Sequence, residues 1–180
     1  MADSLKLVAF CGSLRKASFN RLSLQAFIER LPAGTSVQTI EIADWPLYDA
    51  DIQANGFPDK VQAAQKSMLE ADGIVLVSPE YNYGISGVLK NAIDWLSRPP
   101  YEGPLKGKPL AVVGAALGRH GGAWAHAETR KSLGIAGAEV VESIKLSVPI
   151  ASLDGAHPRE KAELVSELRE IIEKLVAEVA

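Results

Sequence analysis

The sequence predicts an α/β fold in which helices cover both faces of one parallel β-sheet. Short apolar runs alternate along the chain with segments of helical period, which is the pattern of βαβ units. One run, residues 73–78, is rich in apolar, β-branched side chains, as strands buried on both faces are. The 180 residues contain no repeat and no linker, so we expect residues 1–180 to form a single domain.

The first half of the chain alternates between strand and helix patterns. Strands are predicted where apolar residues run together or alternate with polar ones, and helices where they recur every three to four positions. Pro32 and Gly34 end the first helix, and residues 44–58, which follow neither period, are predicted as a long loop. The elements are a strand at 5–11, a helix at 19–31, a strand at 37–42, a helix at 59–71 and a strand at 73–78.

The second half repeats the alternation and ends in a long helix, for which Pro158 suits the first turn. Five strands and five helices predict a flavodoxin-like, doubly wound sheet with strand order 2-1-3-4-5. In that topology ligands bind above the carboxyl ends of strands 1 and 3. The elements are a helix at 87–96, a strand at 110–116, a helix at 123–133, a strand at 139–143 and a helix at 159–179.

Composition and charge exclude several classes of function. A net charge of −3 without a basic cluster argues against binding to nucleic acid. The longest apolar stretch, residues 110–117, is far too short to cross a bilayer, so no membrane partner is expected. Cys11 is the only cysteine, which fits a reducing compartment. Residues 1–4 do not resemble a secretory leader, so we expect a cytoplasmic protein.

The segment GSLRKASFN, residues 12–20, follows the first strand and opens the first helix. Its backbone N–H groups and the positive end of the helix dipole point at whatever lies above the strand. Ser13, Ser18 and Asn20 add neutral donors, and Arg15 adds a fixed cation. Together these features predict a pocket for a terminal phosphate. Taken alone, the segment is also compatible with an ordinary turn whose Ser and Asn cap the helix.

A second unusual segment, SPEYNYG at residues 78–84, follows the third strand. Pro79 holds the backbone extended, and Tyr81 and Tyr83 offer flat apolar faces, although either tyrosine alone is also compatible with simple packing. Asn82 and nearby N–H groups can meet a heteroaromatic edge that carries acceptors. A planar ring with a phosphate tail would therefore span the two segments.

Other phosphate chemistries do not fit the residues. A low-molecular-weight tyrosine phosphatase needs Arg six positions after its cysteine, and Ala17 stands there. A receiver domain needs acidic residues after strands 1 and 3, where this chain has Gly-Ser and Ser-Pro, and no Walker or dinucleotide fingerprint follows strand 1. His120, His126 and His157 share no metal-binding spacing, so no metal site is predicted and each histidine is expected to face solvent or an interface.

The two motifs GSLRKASFN and SPEYNYGISGVLKNAIDW together resemble the NAD(P)H-dependent FMN reductase family. This is a flavodoxin-like group that includes bacterial quinone, azo-dye and chromate reductases. The resemblance implies FMN as cofactor and NADPH or NADH as co-substrate. It also implies that the phosphate is held by Ser13, Arg15, Ser18, Phe19 and Asn20, and that the ribityl chain and ring are lined by Pro79, Glu80, Tyr81, Asn82 and Tyr83.

A third contact in such proteins comes from a glycine-rich loop after the fourth strand, here residues 114–122. Ala116 stands where a hydroxyl is often found, so contacts from Ala116 and Gly118 would use the backbone. No catalytic side chain is expected, because the flavin carries the redox chemistry. The resemblance further implies a homodimer or homotetramer.

The hypothesis for function is a ping-pong oxidoreductase that takes a hydride from NAD(P)H and reduces a quinone or similar acceptor. The alternative is a non-enzymatic, flavodoxin-type electron carrier. Such carriers are strongly acidic around the flavin, whereas this chain has a net charge of only −3 and places Arg15, Arg119 and His120 near the predicted site. These charges favour the enzyme.

Overall fold

The computed structural model of the protein describes residues 5–179. Within this range the chain forms seven strands and six α-helices. They are β1 (Leu5–Cys11), α1 (Phe19–Ile28), β2 (Thr35–Ile40), α2 (Ala50–Ala54), α3 (Asp59–Glu70), β3 (Gly73–Val77), β4 (Glu80–Tyr81), β5 (Gly84–Ile85), α4 (Gly87–Leu96), β6 (Pro109–Ala116), α5 (Ala123–Ile135), β7 (Glu139–Pro149) and α6 (Ala162–Val179).

Five of the strands form one parallel sheet in the order β2-β1-β3-β6-β7. Numbered among themselves these strands run 2-1-3-4-5, so the predicted flavodoxin-like topology is confirmed. The register pairs Cys11 with Val77, so β1 and β3 end side by side. The remaining two strands, β4 and β5, form a small antiparallel hairpin that lies outside the main sheet.

The core lies on both faces of the sheet, because successive side chains of a strand point to opposite sides. Alternate residues of β1, such as Ala9, pack with α1 and α6, while their neighbours, such as Phe10, pack with α3 and α4. Strands β3 and β6 divide in the same way, and all five residues of β3 are buried. The continuous apolar run at residues 73–78 thus has the predicted cause.

The first half of the chain departs from prediction at three boundaries. Helix α1 ends at Ile28 instead of residue 31, and the Arg30 guanidinium donates to the Ala26 carbonyl near that end. Strand β2 starts two residues earlier than predicted, and Ile42 is buried beyond its end. The predicted loop at residues 44–58 contains the short helix α2, which Asp49 caps by accepting a hydrogen bond from Asp51 N–H.

The second half differs mainly in its last strand and last helix. Strand β7 extends from Glu139 to Pro149, well past the predicted residue 143. Its pairing with β6 shifts within one bulge, where Leu110 pairs with Val140 and Val112 with Lys145. Helix α6 begins at Ala162 because Pro158 starts a separate 3₁₀ turn. None of the helices within residues 5–179 combines the length and apolar character needed to cross a membrane.

Candidate active site

A cleft of about 270 Å³ opens above the carboxyl ends of β1, β3 and β6. The two unusual sequence segments meet there, as the strand order requires. Ten of the twelve predicted contact residues line the cleft, and three further residues that the sequence analysis did not select also do so. The predicted ten are Ser13, Arg15, Ser18, Phe19, Asn20, Pro79, Glu80, Tyr81, Ala116 and Gly118, and the three others are Ala115, Leu117 and Ile150.

The loop after β1 is braced at two neighbouring carbonyls. The Ser86 hydroxyl donates to the Gly12 oxygen at 2.8 Å, and the Cys11 thiol and the Arg21 side-chain Nε–H both donate to the Ser13 oxygen, at 3.7 and 3.1 Å. Arg21 also makes a two-pronged ion pair with Glu41 at the end of β2. Cys11 is buried, and burial raises the pKa of its thiol. Arg15, beyond the brace, is exposed at the mouth of the cleft.

The start of α1 carries two buried polar side chains with different tasks. Ser18 caps the helix, since its hydroxyl accepts a hydrogen bond from Asn20 N–H at 3.2 Å. The Asn20 amide forms two hydrogen bonds with the Ala115 backbone, donating to the carbonyl at 2.9 Å and accepting from the N–H at 2.8 Å. Asn20 therefore fixes the first motif to β6, a role that the sequence did not reveal.

The second segment folds into a hairpin instead of an open loop. Glu80–Tyr81 pairs with Gly84–Ile85, and Asn82 and Tyr83 form the two-residue turn with φ values of 51° and 62°. Two consecutive left-handed residues are what a tight hairpin turn requires. The pairing carries Asn82 and Tyr83 to the exposed tip, so the structure does not bring these two predicted contacts into the cleft lining.

The hairpin is held against its surroundings at its first strand. The Glu80 carboxylate accepts a hydrogen bond from Ala125 N–H at 3.2 Å, in the first turn of α5, where the helix dipole favours a negative charge. The Tyr81 hydroxyl lies 3.5 Å from the Ser13 hydroxyl across the cleft. Tyr81 keeps 51% of its surface exposed and forms one wall of the cleft.

His126 is completely buried, which corrects the expectation that it faces solvent or an interface. Its Nε2 lies 2.9 Å from the Ser78 carbonyl oxygen, and its Nδ1 lies 2.6 Å from the Ser147 hydroxyl. Burial lowers the pKa of the imidazole, so the neutral form is favoured. Its place in the first turn of α5 gave no sign of this network.

Two glycines allow backbone segments to approach each other under the cleft. A Cβ added to Gly12 would lie 2.9 Å from Pro79 Cδ, so the first motif rests directly on the second. A Cβ added to Gly114 would lie 2.0 Å from the Ser78 carbonyl oxygen, 2.7 Å from His126 Nε2 and 3.0 Å from Asn20 Oδ1. Gly114 is therefore the point at which the buried contacts of Asn20 and His126 meet.

An aromatic cluster lies beside the cleft. The Trp124 ring makes edge-to-face contacts with Tyr83, at 5.2 Å between ring centroids, and with His120, at 4.7 Å. Arg119 donates from Nε to His120 Nε2 at 2.8 Å. These side chains place a partly exposed aromatic surface and one cation next to the glycine-rich loop, and His120 is the exposed histidine that the sequence placed there.

Volume alone does not distinguish the cleft. A groove of about 280 Å³ lies between α4 and the end of α5, lined by residues that include the ion pair Lys90–Asp94. That groove is away from the carboxyl ends of the central strands, where the sheet topology places ligands. Among residues 5–179, no group of three His, Cys, Asp or Glu side chains is arranged to hold a metal ion.

In sequence, the chain is similar to known FMN reductases and quinone reductases. The family model for NADPH-dependent FMN reductases matches residues 5–152. The chain is 40% identical over 174 residues to an NAD(P)H-dependent FMN reductase of Pseudomonas aeruginosa, covering 97% of this chain and 92% of that protein. It is 48% identical over 125 residues to a quinone reductase of Escherichia coli, covering 68% of this chain and 66% of that protein.

Solved structures give the same result. The flavoenzyme FerB, an NAD(P)H:(acceptor) oxidoreductase from Paracoccus denitrificans, aligns with a TM-score of 0.83 and 27% sequence identity, covering 96% of this chain and 98% of that one. The resemblance stated from the two motifs is thereby confirmed. The chain belongs to the NADPH-dependent FMN reductase family and is an FMN-dependent oxidoreductase that uses a reduced nicotinamide.

Proposed function

We propose that the chain binds FMN in the cleft above β1, β3 and β6 and transfers electrons from NAD(P)H to a quinone-like acceptor. The observation that carries this proposal is the convergence of the two sequence motifs in one cleft, with ten of the twelve expected residues in its lining. Family membership supplies the cofactor class.

The side of the cleft near α1 fits a phosphate. Ser13 and Ser18 are buried residues of the cleft lining, and Arg15 adds an exposed guanidinium at the mouth. The first turn of α1 contributes N–H groups and the positive end of its dipole. Asn20 supports this side through Ala115, so its side chain would hold the loop in place.

The side formed by the hairpin and the loop after β6 fits a flat ring. Pro79 and Tyr81 form one wall, and Ala116 and Gly118 form the other, with no charged side chain on either. Glu80 lies between them, but its carboxylate is bonded to the start of α5. Asn82 and Tyr83 lie outside the cleft lining, and they would contribute by forming the turn that holds Tyr81 in place.

The open side of the cleft would admit the two substrates in turn. Leu117 is 86% exposed and Tyr81 is 51% exposed, so both can contact a planar molecule above the bound ring. The residues that line the cleft would hold FMN, which would supply the hydride and electron-transfer chemistry between nicotinamide and acceptor. The protein contributes by holding the partners in contact, which lowers a barrier by several kcal/mol (up to about 7–11) in well-oriented cases.

A quinone-like acceptor is supported by the 48% identical quinone reductase of Escherichia coli. The proposal is tested with the purified full chain and FMN. We expect oxidation of NADPH or NADH that depends on a soluble quinone such as menadione. Varying both substrates should give parallel double-reciprocal lines. Intersecting lines would contradict the ping-pong order, and no turnover with either nucleotide would favour the electron-carrier alternative.

We also propose that the chain is a single cytoplasmic domain and assembles as a homodimer or homotetramer. The aromatic side chains exposed at the edge of the cleft, Tyr83 and Trp124, support assembly, because large apolar surfaces of this kind are commonly covered by a partner. Light scattering on the purified protein distinguishes dimer from tetramer, and a monomer would contradict the proposal.

A further inference from the structure

We propose that His126 is a positioning residue for the flavin, acting through the hydrogen bond from its Nε2–H to the Ser78 carbonyl. This inference rests on the proposed binding of FMN in the cleft. His126 does not line the cleft. Its effect would be transmitted by the peptide that joins Ser78 to Pro79, where β3 ends and the ring-binding hairpin begins.

The imidazole of His126 connects three elements of the fold. His126 lies on α5, and its two ring nitrogens reach the end of β3 at Ser78 and strand β7 at Ser147. The Ser78 N–H is bonded to the Val113 carbonyl, so one face of this residue is already fixed to β6. The contact from His126 fixes its other backbone polar group, the carbonyl that precedes Pro79.

Two glycines leave space for the imidazole ring of His126. A Cβ added to Gly114 would approach His126 Nε2 to 2.7 Å, and one added to Gly122 would approach it to 3.0 Å. Both glycines therefore leave room for the imidazole, and Gly122 also has φ of +96°. A socket formed by two backbone segments holds the ring in one orientation, which is what a positioning role requires.

The two hydrogen-bond partners of the imidazole determine its tautomer. A carbonyl oxygen only accepts, so Nε2 carries the proton and Nδ1 accepts from the Ser147 hydroxyl. Each nitrogen then has one partner, and the neutral ring is fully satisfied. Removing the Nε2–H would leave a buried carbonyl without its donor at the first residue of the SPEYNYG segment.

Two substitutions separate the two nitrogens. The amide nitrogen of His126→Gln reaches the position of Nε2, whereas the amide of His126→Asn reaches only the position of Nδ1. We expect the Gln variant to bind FMN within about threefold of wild type and the Asn variant to bind at least about tenfold more weakly, which corresponds to about 1.4 kcal/mol. Ser147→Ala keeps the contact with Ser78 and should stay within about threefold.

FMN affinity is measured by fluorescence titration, together with the visible circular dichroism of the bound flavin and the melting temperature of the FMN-free protein. If His126 only stabilises the fold, the Gln and Asn variants should both melt at lower temperatures than wild type and should bind FMN with equal affinity. Equal FMN affinities for the Gln and Asn variants would overturn the inference while the proposed function stands. A wild-type protein that does not bind FMN would overturn both.

One measurement needs no variant and so does not depend on folding of the substituted chains. In wild-type protein labelled with ¹⁵N at histidine, we expect His126 to show the neutral tautomer protonated at Nε2, with and without added FMN. A proton on Nδ1 instead would remove the donor to Ser78 and overturn the inference.

Discussion

The two junctions that form the cleft are built in opposite ways. The loop after β1 is irregular, and hydrogen bonds to its backbone carbonyls hold it, since Ser13 accepts from the Cys11 thiol and from Arg21 and Gly12 accepts from the Ser86 hydroxyl. The segment after β3 is a regular hairpin with two attachments to α5. His126 fixes the carbonyl before it, and its own carboxylate, that of Glu80, is bonded to α5.

This difference matches the two parts of the proposed ligand. Hydrogen-bond donors from a loop or from a helix N-terminus can bind a phosphate, so an irregular loop with an exposed Arg15 is suited to phosphate binding. A flat ring that reacts at one position needs a wall at a defined height, because small displacements of reacting atoms slow a reaction strongly. We therefore expect substitutions in the loop after β1 to weaken FMN binding. Substitutions beneath the hairpin should instead disturb the geometry of both junctions.

The largest effect is expected where the braces of both junctions meet. Gly114→Ala would place a methyl group 2.0 Å from the Ser78 carbonyl oxygen and against His126 and Asn20. Backbone cannot yield cheaply, so we expect the free energy of unfolding to fall by about 3 kcal/mol, measured by denaturant titration. Gly87→Ala is the control, since nothing lies within 4 Å of its Cβ position, and it should be neutral or slightly stabilising. Equal stabilities would contradict the close approach at Gly114.

The second effect concerns binding alone and tests the loop after β1. Arg15→Ala should weaken FMN binding by about 1.5–3 kcal/mol, because it removes a charge-assisted hydrogen bond to the phosphate. Lys16→Ala removes the same charge from a neighbour that does not line the cleft and should change little. Riboflavin, which has no phosphate, should bind the wild type and the Arg15 variant equally. If the Arg15 variant keeps full FMN affinity, the phosphate does not lie at this loop.

The third effect is the pH dependence that His126 gives to stability. Burial lowers its pKa from 6.5; the hydrogen bond to Ser78 opposes this decrease, Arg130 adds to it and Glu80 opposes it. The unfolded chain therefore takes up this proton first as the pH falls. This contribution to stability is complete above pH of about 6.5 and is lost below it, by at most about 1.4 kcal/mol per pH unit. Denaturant titrations between about pH 5 and 8 should show a shallower slope for His126→Gln than for wild type. Identical slopes would mean that the imidazole titrates normally.

The comparison also shows which features the sequence contains. The order of the sheet followed from apolar runs such as Gly73–Val77, whose burial on both faces leaves a continuous signal. The first motif was recognisable because Ser13, Arg15 and Ser18 are local to one turn. The hairpin was not recognisable, since its turn residues Asn82 and Tyr83 adopt left-handed conformations although neither is a glycine.

The buried braces were beyond sequence reasoning for a different reason. Asn20 and Ala115 are 95 positions apart, and His126 and Ser78 are 48 apart, so no local pattern connects them. Gly114 could have given a signal, because a glycine inside a strand often marks a close backbone approach. The extension of β7 was missed because its bulge opposite β6 breaks the alternation that predicts a strand.

The smallest effect on stability tests whether the hairpin presents one wall or two. Tyr81 lines the cleft, whereas Tyr83 lies at the tip against Trp124, and both rings are largely exposed. Replacing either by Leu should change the free energy of unfolding by less than about 0.5 kcal/mol. Only Tyr81→Leu should alter the fluorescence of bound FMN and the rate of quinone reduction, because only that ring reaches the proposed flavin site. Equal changes for both variants would extend the ring-binding wall to the hairpin tip, and a change in stability alone would return Tyr81 to a packing role.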